Sequence, residues 1–182
     1  MLANVPKYYW DACMWIALIK REPSRFDACK FIIEKAQRSE VEIWTSMFTL
    51  AEVWKRRCAG EDTGLPEADD EAFEDYIEQE FVFRVAVDSD VGTAARRLLR
   101  KHPSIGKPQD AIHVATALIE NVDELHTFDR ADLLSLDGVL DRQDGEKLKI
   151  CTPPPPPDPN EGTLFEGLDE GDGPEDLLRA AD

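Results

Sequence analysis

Four acidic residues have the type and spacing to share one divalent cation: Asp11, Glu52, Asp110 and Asp129. Asp11 closes the run Lys7-Tyr8-Tyr9-Trp10, and Glu52 lies in the apolar stretch Thr45-Ser46-Met47-Phe48-Thr49-Leu50-Ala51-Glu52-Val53-Trp54. Asp110 opens a helical pattern, and Asp129 follows Glu124-Leu125-His126-Thr127-Phe128. Carboxylates crowded together repel one another unless a cation intervenes. Oxygen donors with no His/Cys cluster suit Mg²⁺ or Mn²⁺ better than zinc. Each acid also has a purely structural reading. Asp11 is a favoured helix N-cap, Asp110 follows Pro108 in a first helical turn, and Asp129 could cap a short helix starting at Arg130. Glu52 resists this reading because Leu50-Ala51 and Val53-Trp54 flank it. Joint placement at one edge of a sheet is what favours the metal.

The elements that must place them alternate. Residues 7–11, 41–45, 82–87, 124–128 and 148–151 are β-favouring runs, and longer helical patterns separate most of them. Ala111, Val114, Ala115 and Leu118 fall at i, i+3, i+4 and i+7, and Phe26, Cys29, Phe31 and Ile33 suggest a helix between the first two strands. Such alternation predicts an α/β three-layer sandwich with a five-stranded parallel sheet. Right-handed crossovers send every strand's C-terminal end to one edge, where ligand crevices lie. Residues 60–80 read as a loop and an acidic helix with a thin apolar stripe of Ala68, Ala72, Tyr76 and Ile77. The domain is expected over residues 1–151. After it, Pro153 to Pro157 open a proline-rich, acidic tail over 152–182 that lacks the apolar content to order itself.

The formal net charge of −17 looks hostile to nucleic acid, but it is concentrated. Residues 152–182 carry nine acids and one Arg, and residues 61–80 carry ten acids and no base, which leaves 19 acids against 20 bases elsewhere. Lys55-Arg56-Arg57 and Arg96, Arg97, Arg100 and Lys101 are the densest basic groups. Solvated helix faces or phosphate contacts would each explain them. Cys13, Cys29, Cys58 and Cys151 form no C-x-x-C pair, so no zinc knuckle is expected, only reduced and mostly buried thiols. No membrane-length apolar run and no signal-peptide pattern appear, so the expected compartment is the cytoplasm, without membrane association.

Four segments together resemble the PIN-domain nucleases, many of which are VapC-like toxins. They are Asp11-Ala12-Cys13-Met14-Trp15-Ile16, Thr49-Leu50-Ala51-Glu52-Val53, Asp110-Ala111-Ile112-His113-Val114-Ala115-Thr116-Ala117 and Thr127-Phe128-Asp129. The third is the most specific, and the likeness covers roughly residues 5–151. It implies a Mg²⁺- or Mn²⁺-dependent endoribonuclease acting on RNA, an antitoxin partner and a homodimer. Asp11, Glu52, Asp110 and Asp129 match the family's acidic positions, and Thr127 matches a frequent neighbouring hydroxyl. Asp11, Asp110 and Asp129 would hold the metal, and Glu52 would ligate it or orient a ligated water. Cys13 departs from the Asn, Ser or Thr common there, and a thiol is a poor partner for a hard metal. His113, three residues after Asp110, reads as a packing or supporting residue rather than a general base. Trp10, Trp15, Trp44 and Trp54 read as core. Rival readings are a catalytically degenerate PIN-like module or a receiver-like interaction domain. The latter needs a second acid beside Asp11 and a Lys after the last strand, and only Trp10-Asp11-Ala12 and the intrastrand Lys149 stand there.

Overall fold

A computed structural model of the chain describes residues 5–54 and 65–157. Its elements are β1 (Lys7–Trp10), α1 (Ala12–Ile19), α2 (Phe26–Gln37), β2 (Glu42–Ser46), α3 (Phe48–Glu52), α4 (Glu67–Ile77), β3 (Val82–Val85), α5 (Ser89–Lys101), α6 (Pro108–Ile119), β4 (Glu124–His126) and β5 (Lys149–Cys151), with a 3₁₀ turn at Leu134–Leu136 before β5. The five strands form one sheet in the order β3-β2-β1-β4-β5, and every pairing is parallel.

Parallel strands buried on both faces alternate their side chains between two cores. Trp10 and Ile43 point to a core closed by α1, α2 and α4, with Trp15 set edge-on against Trp10 at 4.8 Å. Tyr9, Leu125 and Ile150 point to the other, closed by α5 and α6 through Val91, Ala95, Ala111 and Val114. The acidic helix α4 covers the first core and does not project from it: Phe73 and Ile77 are its buried anchors. The expected tryptophan core holds for Trp10 and Trp15 only. Trp44 is half-buried and stacks on Phe83 at 4.8 Å, and Trp54, two residues past the end of the five-residue α3, is 50% exposed.

Local chemistry sets the helix starts that matter for the site. The Asp11 carboxylate accepts from the Cys13 and Met14 backbone N–H groups and so caps α1. Pro108 occupies the first turn of α6, where its missing N–H costs nothing. In this strand order, the connections from β1 and from β4 leave toward opposite sides of the sheet. A crevice therefore opens at the C-terminal ends of β1 and β4.

Candidate active site

Asp11 follows β1 and is 5% exposed. One of its oxygens, Oδ1, takes the two backbone N–H groups and the Cys13 thiol at 2.8 Å, and the other, Oδ2, takes the Thr127 hydroxyl at 2.6 Å. The same Thr127 oxygen accepts the Asp129 backbone N–H at 2.9 Å. Thr127 thus ties the ends of β1 and β4 together across the crevice. Asp129 Oδ1 accepts from Ala131 and Asp132 N–H groups, the capping geometry expected of it, although a turn rather than a helix follows.

Asp110 lies in the first turn of α6, with its Oδ2 buried and without a hydrogen-bond partner among the described residues. Burial, reinforced by Asp132 and Asp129, pushes its pKa up to about 6 against the pull of Lys107 and His113. Burial also raises Asp11, opposed chiefly by His113 and its hydrogen bonds.

Glu52 is the last residue of α3, and its Oε2 meets His113 Nε2 at 2.6 Å. His113 is buried one turn along α6 from Asp110, and its Nδ1 meets the Tyr9 hydroxyl at 2.8 Å. That hydroxyl accepts the Ser46 backbone N–H at 3.1 Å. One proton assignment satisfies the chain: Tyr9 donates to Nδ1, and the Nε2–H donates to Glu52. His113 therefore orients Glu52.

The four acids come from the C-terminal side of the sheet and are linked in two pairs, Asp11–Asp129 through Thr127 and Glu52–Asp110 through His113 and α6. Among the described residues, no three of them bring ligand oxygens within 4.8 Å of one another. The donor set suits a hard divalent cation: every ligand is oxygen, and one of them is a buried carboxylate oxygen with nothing to satisfy it.

Cys13 does not leave a gap at its position. Its Sγ donates to Asp11 and accepts the Phe128 N–H at 3.0 Å, with its pKa raised by burial and by Asp11. Arg96, Arg97, Arg100 and Lys101 are exposed on α5. Lys55, Arg56, Arg57 and Cys58 lie outside the described residues, as does the tail beyond Pro157. Among the described residues, Lys107, just before α6, is a cation close enough to feel Asp110 and Asp129. It pairs with Asp132 at 2.5 Å, and Asp110 and Asp129 add to that pull on its proton. Sequence reasoning passed over Lys107 and Asp132 because neither stands in a run. Its place immediately before the Pro108-Gln109-Asp110 helix start was the available signal.

The model of the PIN domain matches residues 8–138, most of the chain. The chain belongs to the PIN-domain family. No curated protein matches it. Solved PIN-type structures share the fold. The sarcin-ricin loop cleaving toxin VapC20 of Mycobacterium tuberculosis superposes with a TM-score of 0.52 at 20% identity, over 67% of this chain and 89% of that one. VapBC2 of Rickettsia felis, bound to a promoter DNA fragment, gives 0.52 at 13% identity over 79% and 96%. DNA-bound VapBC of Salmonella typhimurium gives 0.50 at 16% over 80% and 98%.

Thr127 is the residue of this PIN domain whose contribution is easiest to isolate. Thr127→Val removes the hydroxyl that lowers the Asp11 pKa and leaves two polar groups short of a partner. The expected cost is about 1–3 kcal/mol of stability. Because that hydrogen bond favours the ionised carboxylate, its loss raises the Asp11 pKa further, so the acidic limb of any activity dependent on Asp11 moves to higher pH. A pH–rate profile with an unmoved acidic limb would refute the assignment.

Proposed function

We propose that this chain is a Mg²⁺- or Mn²⁺-dependent endoribonuclease, residues 1–151 forming the nuclease domain, and that it acts in the cytoplasm as the toxin of a toxin–antitoxin pair. The observation that carries the reading is the buried, unpartnered Asp110 Oδ2 in a helix that opens beside Asp129 at the crevice between β1 and β4. PIN domains are nucleases as a family. The neighbours in fold include a toxin that cleaves the sarcin-ricin loop and two toxin–antitoxin assemblies. Those likenesses support an RNA substrate and an antitoxin partner here, and the homodimer rests on the family resemblance alone. No helix among the described residues is long and apolar enough to cross a membrane.

Asp11, Asp110 and Asp129 would hold the metal. Once bound it supplies Lewis acidity, lowering the pKa of a coordinated water and neutralising charge on the phosphoryl oxygens. Glu52, whose Oε2 meets His113 Nε2 at 2.6 Å, would ligate the metal or orient a ligated water through its other oxygen. Four hydrogen bonds to Asp11 favour its ionised form and oppose the upward push of its burial. Lys107 and the exposed cations of α5 would position the RNA backbone, and Lys55, Arg56 and Arg57 are assigned the same role.

The experiment is RNA cleavage by purified protein in Mg²⁺, Mn²⁺ or EDTA. Cleavage in either metal that vanishes with chelation is the expected outcome. Undiminished activity in EDTA would contradict metal catalysis, and inertness under all three conditions against a broad RNA panel would favour a degenerate binding module.

A further inference from the structure

We propose that Glu124, His126 and Cys151 form a second metal site, for Zn²⁺, on the β4–β5 edge of the sheet. Three facts of strand geometry assemble it. Alternation along β4 puts Glu124 and His126 on one face, while Leu125 between them enters the opposite core. The parallel register sets Cys151 opposite His126 and Lys149 opposite Glu124. A carboxylate oxygen, a ring nitrogen and Sγ consequently lie within 4.8 Å of one another, the closest such group of three among the described residues.

The contacts converge on one atom. Glu124 Oε2 sits 2.9 Å from His126 Nε2 and 3.5 Å from Cys151 Sγ. Lys149 Nζ holds the other oxygen, Oε1, at 2.8 Å and so turns Oε2 toward the ligands, as outer partners of metal-bound carboxylates do. The Tyr8 ring lies against His126 at 4.7 Å and restricts the imidazole. His126 is fully buried, while Glu124 and Cys151 are partly exposed, so an ion has a path from solvent.

Thiol, imidazole and carboxylate together are the donor set of zinc, not of magnesium or calcium. Three protein ligands leave a fourth tetrahedral position for water. Binding requires two proton movements. The Cys151 thiol, whose pKa burial and Glu124 raise to about 12, releases its proton to solvent. The imidazole proton moves from Nε2 to Nδ1, which is buried without a partner among the described residues. That unpaired N–H weakens binding by roughly tenfold to a hundredfold relative to a site with a full outer shell. Because a thiol proton is displaced, affinity rises about tenfold per pH unit below the thiol pKa.

The ion would cross-link a vulnerable place. β5 is three residues long, has β4 as its only strand neighbour among the described residues, and precedes the proline run. β4 ends one residue before Thr127, so a bridge from β5 also steadies the segment that carries Asp129. This site does not depend on the nuclease reading.

The test uses the full-length, metal-stripped protein titrated with Co²⁺ in excess Mg²⁺. One equivalent of Co²⁺ should produce tetrahedral d–d bands and a thiolate-to-cobalt charge-transfer band that Zn²⁺ abolishes. The band should vanish in Cys151→Ser, a partly exposed and nearly isosteric change, and persist in Cys13→Ser and Cys58→Ser. Zn²⁺ should raise the Tm of the wild type and not that of Cys151→Ser. Binding by carboxylates alone carries no thiolate band. A missing band up to millimolar Co²⁺, or one that survives Cys151→Ser, would show that the trio is only an ion-pair network around Lys149.

Discussion

Asp110→Asn is expected to reduce RNA cleavage by about a thousandfold or more and, in chelator at neutral pH, to raise the Tm. The loss of activity follows from the removal of a ligand to a cation that supplies several kcal/mol of transition-state stabilisation, at roughly tenfold per 1.4 kcal/mol. The gain in stability follows from the raised carboxyl pKa. A carboxyl that titrates near 6 in the folded protein and near 3.8 when unfolded disfavours folding once it ionises. The penalty is absent below pH 4, grows between about 4 and 6 and is complete above 6. Asparagine cannot ionise and escapes it. Asp110 is only half-buried, so solvent screening reduces the effect to about 1 kcal/mol, or roughly 2–4 °C in Tm for a chain of this size. The advantage should disappear at pH 4. Mg²⁺ should reverse the order at pH 7, because it stabilises only the protein that binds it. An active variant, or one less stable than wild type in chelator at pH 7, would remove Asp110 from the metal site.

His113→Ala should cost about 2–4 kcal/mol of stability and lower cleavage roughly tenfold to a hundredfold. The imidazole is 3% exposed and lies between Tyr9, Phe48 and Glu52. Its removal leaves the Tyr9 hydroxyl without its acceptor inside the core, opens a cavity and frees Glu52 to rotate. His113→Gln separates these effects. A glutamine amide reaches the Nε2 position and donates to Glu52, but its chain offers nothing at Nδ1 for Tyr9. This variant should therefore recover activity more fully than stability. Full activity in His113→Ala would mean that Glu52 needs no orientation or takes no part in catalysis.

Much of this molecule was legible in the chain. All five strands lie where the β-favouring runs are, within a residue or two at their ends. The four acids stand on the C-terminal side of the sheet because a parallel α/β topology brings all strand ends there, whatever the distance between them in sequence. Strand alternation and helical spacing are local properties, so residue order alone determines them, and together with the crossover rule they determine the architecture.

Side-chain partnership was decided elsewhere. Thr127 and Asp11 are 116 residues apart, His113 and Tyr9 104, and Glu52 and His113 61. No local pattern marks His113 as the residue that aims Glu52, since that depends on how α6 docks against β1 and α3. The dense basic runs drew attention, yet Lys107 reaches the acids because α6 begins beside Asp132. Trp54 looked like core from its place in an apolar run and lies half exposed, past the end of the short α3. The sequence offered no His/Cys cluster, but register across β4 and β5 builds one from Glu124, His126 and Cys151. Sequence patterns report what each residue does within its own strand or helix. Which strand lies beside it, and in what register, is settled only when the cores on the two faces of the sheet pack together.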